Sequence, residues 1–250
     1  MDKSGSVTFS SNDRPLHEHT TTLNMIVDMN NTSRSDRLLV RMMTISVVLW
    51  LAFASVNANS QSQDTVLVLG DSISSAYGLT IEEGWVAQLQ NTFDEKGLDL
   101  NVVNASVTGD TTANGLGRLS GLLAEYEPRM LIIELGGNDG LRGLSVENLK
   151  ANLISMAELA NDYGAIPVVV SVQLPGNYGK AYNNLFASAF ITAAEDTNAA
   201  LVPSLFEGMD ASAQWFQSDG IHPSASAQPL MLANVWKVIE PLLEEESQAQ

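Results

Sequence analysis

His222 stands in Asp219-Gly220-Ile221-His222-Pro223; the other two histidines of the chain, His17 and His19, lie near its N-terminal end. The chain has no cysteine, so it offers neither a thiol nucleophile nor a disulfide framework. One imidazole with no second imidazole or cysteine to share a metal is a poor basis for a zinc site. Asp219 lies three residues upstream of His222, near enough on a loop to hold its Nδ1–H. These two are the base and the orienting carboxylate of a hydrolytic triad. The nucleophile that such a pair requires has a candidate at the other end of the domain, Ser72 in Gly70-Asp71-Ser72.

Acyl transfer also needs donors aimed at the oxyanion of a tetrahedral intermediate. Two further loops offer them. Ala105-Ser106-Val107-Thr108-Gly109-Asp110 contains Gly109, whose backbone N–H has no side chain beside it. Gly136-Gly137-Asn138-Asp139-Gly140 contains Asn138, with a side-chain amide. The backbone N–H of Ser72, at a strand-to-helix turn, would be a third donor at a helix N-terminus. Asp71 and Asp139 are expected to brace their loops through backbone N–H groups. Taken singly, each motif also describes an ordinary turn or a flexible glycine-rich loop. Four such loops, each following a strand, make the joint chemical reading the stronger one.

The elements that must position these loops are legible as alternation. Strands are expected at Thr65–Leu69, Leu100–Asn104, Met130–Leu135, Pro167–Ser171 and Ala200–Val202, several of them continuous apolar runs suited to burial on both faces. Helices are expected at Gly84–Lys96, Asn114–Glu125, Val146–Tyr163, Tyr182–Asn198 and about Ser226–Glu245. In the third, Val146, Leu149, Leu153, Met156 and Ala160 share one face and Ser145 is placed to cap it. Pro229 fits a first helical turn, and Pro241 is expected to kink or end the last helix. Strand–helix alternation repeated five times predicts an α/β domain with a parallel sheet covered on both faces. Ligands of such sheets bind beyond the carboxyl ends of the strands, which is where all four loops fall.

The set Gly70-Asp71-Ser72, Gly109, Gly137-Asn138-Asp139 and Asp219-x-x-His222 resembles the SGNH (GDSL) hydrolase superfamily. The surrounding sequence is similar to its bacterial periplasmic thioesterase I, lysophospholipase L1 and arylesterase group. This holds for Val68–Ser74, Asn104–Thr111, Glu134–Gly143, Leu174–Gly179 and Asp219–Pro223, within residues 64–242. The resemblance implies a flavodoxin-like three-layer α/β/α sandwich, its five-stranded parallel sheet in the order 2-1-3-4-5. It implies an esterase and thioesterase acting on aryl esters, lysophospholipids and acyl thioesters, with no metal or organic cofactor. It assigns the triad to Ser72, Asp219 and His222, and the oxyanion hole to Ser72, Gly109 and Asn138. Leu141, Leu144, Tyr178 and Phe186 are candidates for the acyl pocket, each equally suited to the core. The glycine-rich loop Gly136–Gly143 is expected to be mobile and to close over the acyl chain.

Ahead of the domain, residues 1–36 form a polar leader without pattern. Arg34, Arg37 and Arg41 then precede the apolar run Met42–Val56, and small residues follow at Val56-Asn57-Ala58. Residues 37–58 read as a signal peptide cleaved after Ala58, since the apolar run is shorter than the roughly 20 residues that span a bilayer. The leader fits an over-extended start, with initiation expected at Met25, Met29, Met42 or Met43. The domain is then 59–243, followed by an acidic tail, 244–250. The chain carries a net charge of −17, and the cleaved segment is electrically balanced, so the mature protein keeps that charge. Such a surface repels nucleic acid and anionic headgroups. A periplasmic or secreted monomer with a small-molecule acyl substrate, without nucleic acid or an obligatory protein partner, is the expectation. Two other readings use the same residues: a carbohydrate O-deacetylase, distinguished by preference for acetyl groups, and a non-catalytic ligand-binding domain, distinguished by inactivity. A phosphorylated receiver domain of the same topology is disfavoured, because Asn138 precedes Asp139 and no late lysine is evident.

Overall fold

A computed structural model of the chain describes residues 65–249 apart from 175 and 211–213, with side chains through Glu244. The leader and the signal peptide lie outside the described residues. Five strands, β1 (Thr65–Gly70), β2 (Asn101–Asn104), β3 (Met130–Glu134), β4 (Ile166–Val170) and β5 (Ala200–Val202), form one all-parallel sheet. Their order is β2-β1-β3-β4-β5, as expected.

Alternate residues of the central strands face opposite layers. Leu67, Leu69, Leu131 and Ile133 pack on one side against α2 (Thr112–Tyr126), α4 (Val146–Asp162) and α5 (Lys180–Thr197). Val66, Val68, Met130 and Ile132 pack on the other against α1 (Trp85–Lys96) and α6 (Gln228–Ala249). The apolar face expected for Val146–Tyr163 is the buried face of α4, and the Ser145 hydroxyl accepts from the N–H of Asn148. Among the described residues no helix is long and apolar enough to cross a membrane.

Of the two outcomes expected at Pro241, a kink or an end, the helix does not end there: α6 runs on to Ala249. A proline costs its helix one hydrogen bond, and here the leucines and glutamates that follow are good helix formers. No helix starts at Ser72. The chain instead winds one turn, with Ser75 N–H donating to Asp71 O (3.0 Å) and Tyr77 N–H to Ser72 O (3.0 Å). Left-handed Ala76 (φ 59°) and Gly78 (φ 78°) then break it off. Finally, the glycine-rich loop contains a helical turn, α3 (Gly137–Leu141). The Asp139 carboxylate pins this turn by accepting from Thr112 N–H (2.9 Å) and Thr112 Oγ1 (2.6 Å). A Cβ on Gly140 would come within 2.6 Å of the Leu174 side chain and 2.9 Å of Phe186, so this segment is packed into the fold rather than standing free of it.

Candidate active site

The site sits beyond the carboxyl ends of the strands, and β1 beside β3 is its foundation. Gly70 pairs with Glu134 in the register of these strands. A side chain at Gly70 would run into Ser74 (2.6 Å) and Ser106 (2.8 Å), so only glycine lets the turn after β1 lie this close to its neighbours. Below the turn, Glu134 is fully buried and accepts from Ser74 Oγ at 2.7 Å. Asp71, also buried, accepts from Ile73 N–H (3.1 Å) and from Asn138 Nδ2 (3.0 Å). Burial pushes the Asp71 carboxyl up to about 6 against the pull of these two bonds. Burial, reinforced by the negative charge of Asp71, raises Glu134 well above the glutamate range. The two buried carboxyls therefore oppose each other's ionisation and titrate as a pair.

Ser72 tops this turn. Its Oγ lies 3.0 Å from His222 Nε2, and His222 Nδ1 lies 2.7 Å from Asp219 Oδ2. The other carboxylate oxygen of Asp219 accepts from the N–H groups of Ile221 (2.9 Å) and His222 (3.0 Å). The bond from His222, aided by these backbone donors, lowers the Asp219 carboxyl to about 2. Asp219 thus presents a fixed charge to Nδ1, which favours a proton there and leaves Nε2 free to accept from the Ser72 hydroxyl. The Tyr77 ring lies 4.5 Å from the imidazole, centroid to centroid.

Asn138 and the loop of Gly109 are both tied to the serine turn, the first through Asp71 and the second through Thr108. Gly109 is left-handed (φ 86°), a conformation that disfavours a side chain there. Its loop is held by Arg118, which bonds to Asp110 (2.9 Å) and to the carbonyl of Ala105. It also meets the turn after β1 through Thr108 Oγ1 and Ser75 Oγ (2.9 Å). Asn138 lies on α3 with its amide on Asp71. Asp71 and Asp139 both take backbone N–H bonds, the bracing expected of them, and each also spans two elements.

A cavity of about 300 Å³ opens beside these residues, lined by Ile73, Gly137 and Ile221, the chain neighbours of Ser72, Asn138 and His222. Its walls are mainly apolar: Leu141, Leu174, Phe206, Met209 and Phe216. Of the four pocket candidates only Leu141 lines it. Phe186 is buried in the core, its ring 5.3 Å from that of Phe190. Leu144 is exposed, and Tyr178, also exposed, lies outside the cavity with its hydroxyl donating to Leu141 O (3.2 Å). Phe206, Met209 and Phe216 were missed. Their only signal in the sequence is apolar residues in a long segment after the last strand, where loops of this sheet edge carry binding groups.

Gln217 was missed as well. Its Nε2 donates to the carbonyls of Tyr77 (2.7 Å) and Pro223 (3.0 Å), and its N–H donates to that of His222 (2.8 Å). One carboxamide thus straps the serine turn to the histidine loop. Among the described residues no three His, Cys, Asp or Glu side chains converge to hold a metal ion.

Residues 68–228 match the model of the GDSL-like Lipase/Acylhydrolase family. The chain is 46% identical over 204 residues to the esterase TesA of Pseudomonas aeruginosa, covering 82% of this chain and 100% of that protein. It is 38% identical over 184 residues to "Thioesterase 1/protease 1/lysophospholipase L1" of Escherichia coli K12, covering 74% and 87%. Among solved structures, the crystal structure of TesA matches with a TM-score of 0.70 at 49% identity, covering 71% of this chain and 99% of that one.

Proposed function

Because the chain belongs to the GDSL-like lipase/acylhydrolase family, a family of ester and thioester hydrolases, we propose that it works through a Ser72 acyl-enzyme. The observation that carries this reading is the hydrogen-bonded series Asp219–His222–Ser72. Ser72 Oγ attacks the acyl carbon while its proton passes to His222 Nε2. The carbonyl oxygen becomes an oxyanion held by the backbone N–H groups of Ser72 and Gly109 and by Asn138 Nδ2. The bond to the leaving oxygen or sulfur then breaks, and His222 returns the proton to it. Water repeats the sequence on the acyl-enzyme and frees the acid. Asp219 keeps the imidazole in the tautomer both steps need.

The apolar cavity takes the acyl chain, and this favours lipid and aryl esters, lysophospholipids and acyl thioesters over acetylated sugars. Its volume is at the low end for ligand pockets, which suits one acyl chain. The enzyme acts as a monomer; its place is the periplasm or outside the cell, as the signal peptide read at residues 37–58 suggests. The test is hydrolysis of p-nitrophenyl esters from acetyl to palmitoyl by the domain from Asn59, beside Ser72→Ala. We expect activity that extends beyond acetyl and is lost in the variant. Activity confined to acetyl would favour a deacetylase; activity that survives in Ser72→Ala would exclude the serine mechanism; a folded but inert domain would favour a binding role.

A further inference from the structure

Arg142 closes α3, four residues after Asn138 and therefore on the same helix face. Its Nη2 donates to Gly109 O at 2.9 Å and makes a longer contact of 3.4 Å to Asn138 Oδ1. One guanidinium nitrogen thus touches both loops that the proposed mechanism uses for the oxyanion, although these lie on different strands.

The hydrogen-bonding capacity of Asn138 is small enough to account for completely. Its amide has one oxygen and two N–H groups. One N–H goes to Asp71 Oδ2 at 3.0 Å. The oxygen faces Arg142. An anion on one side and a cation on the other admit a single orientation of the amide, since the flipped form would set oxygen against carboxylate and N–H against guanidinium. The second N–H is left for a ligand. At Gly109 the same nitrogen engages the carbonyl, so the left-handed residue is held by a charge-assisted bond on the far side of its Cα from the N–H. Glycine there imposes no conformation of its own, and the restraint has to come from outside.

We propose that Arg142 is the positioning residue of the oxyanion hole, fixing the Asn138 amide directly and the backbone of Gly109 through its carbonyl, so that both donors point at the developing charge. This rests on the serine mechanism above. Its contribution is to pre-organisation and therefore belongs to the transition state, not to substrate binding. The side chain is exposed, so its loss leaves the packed core untouched.

The test is steady-state kinetics on p-nitrophenyl butyrate for the wild type, Arg142→Ala, Arg142→Lys, Asn138→Ala and the double variant Arg142→Ala/Asn138→Ala. Ser72→Ala serves as control, and every preparation is checked by thermal melting. We expect Arg142→Ala to lower kcat about tenfold or more while KM stays within about twofold. Arg142→Lys should recover part of the loss. Removing Arg142 should cost less once Asn138 is already alanine, because half of what it positions is gone. A kcat within about twofold of wild type would overturn the proposal, as would a rise in KM at constant kcat or an equal cost in both backgrounds. Should Arg142→Ala melt early, Arg142→Lys against wild type and in the Asn138→Ala background carries the same comparison. An active Ser72→Ala would instead remove the serine mechanism itself; an inert Ser72→Ala, a slow Asn138→Ala and an unimpaired Arg142→Ala would remove this inference alone.

Discussion

Two kinds of donor converge on the carboxylate of Asp219: the imidazole of His222 on one oxygen, and backbone N–H groups on the other. They hold the carboxyl at about 2, below the usual 3.8. A depressed value stabilises the folded state above the unfolded pKa, and that contribution is lost as pH falls through the folded one. The difference in melting temperature between wild type and Asp219→Asn should therefore be largest above pH 4 and close as pH drops towards 2. A difference that persists unchanged to pH 2 would mean the charge contributes nothing. At neutral pH the same variant should lose about 10³–10⁴-fold in kcat, because an amide no longer selects the tautomer with the proton on Nδ1. Asn138→Ala should raise the barrier by about 2.7–4 kcal/mol, the range for one oxyanion donor.

The turn between β1 and α1 rests on a buried acid. Glu134 is raised by burial, so its charged form opposes folding: stability is full in the acid range and falls as pH rises through the raised value. Glu134→Gln copies the neutral acid in shape. It should melt like the wild type in the acid range and outlast it as pH increases, when melting curves are compared from pH 5 to 9. Parallel curves would show that the fold does not raise the Glu134 carboxyl above its unfolded value. At this scale the sequence was readable where burial is periodic, as in α4, whose face and Ser145 cap were both anticipated. It was not readable where distant residues decide. Composition alone makes Gly136–Gly143 a loop, but Thr112 on the Asp139 carboxylate and Leu174 against Gly140 wind part of it into α3. Phe186 and Leu141 are both apolar residues near the loops. Packing of α5 against α4 puts Phe186 in the core, while Leu141, at the end of α3, lines the cavity.

Across the molecule, strand order does the positioning. With β1 between β2 and β3, its C-terminal loop is flanked by theirs, so the loops that carry Ser72, Gly109 and Asn138 open side by side. Continuous apolar strands between helices made this sheet legible from the sequence. The return from β5, at the sheet edge, was not legible. The segment from Pro203 to Ser224 must come back to the serine turn, and it is secured there by Gln217, a residue in no motif. Loops of this length inside a domain usually serve function, and this one supplies His222, Asp219 and much of the cavity wall. Ser72 and His222, 150 positions apart, are thus neighbours only in the folded chain. The measurement that tests this most directly is labelling by an alkyl p-nitrophenyl phosphonate, followed by intact mass and peptide mapping. The account predicts one adduct per folded chain, on Ser72. It should be absent from Ser72→Ala and from protein unfolded in urea, and slow to form in His222→Ala. An adduct on another residue, or labelling of Ser72 that proceeds equally well without His222 or in the unfolded chain, would contradict it.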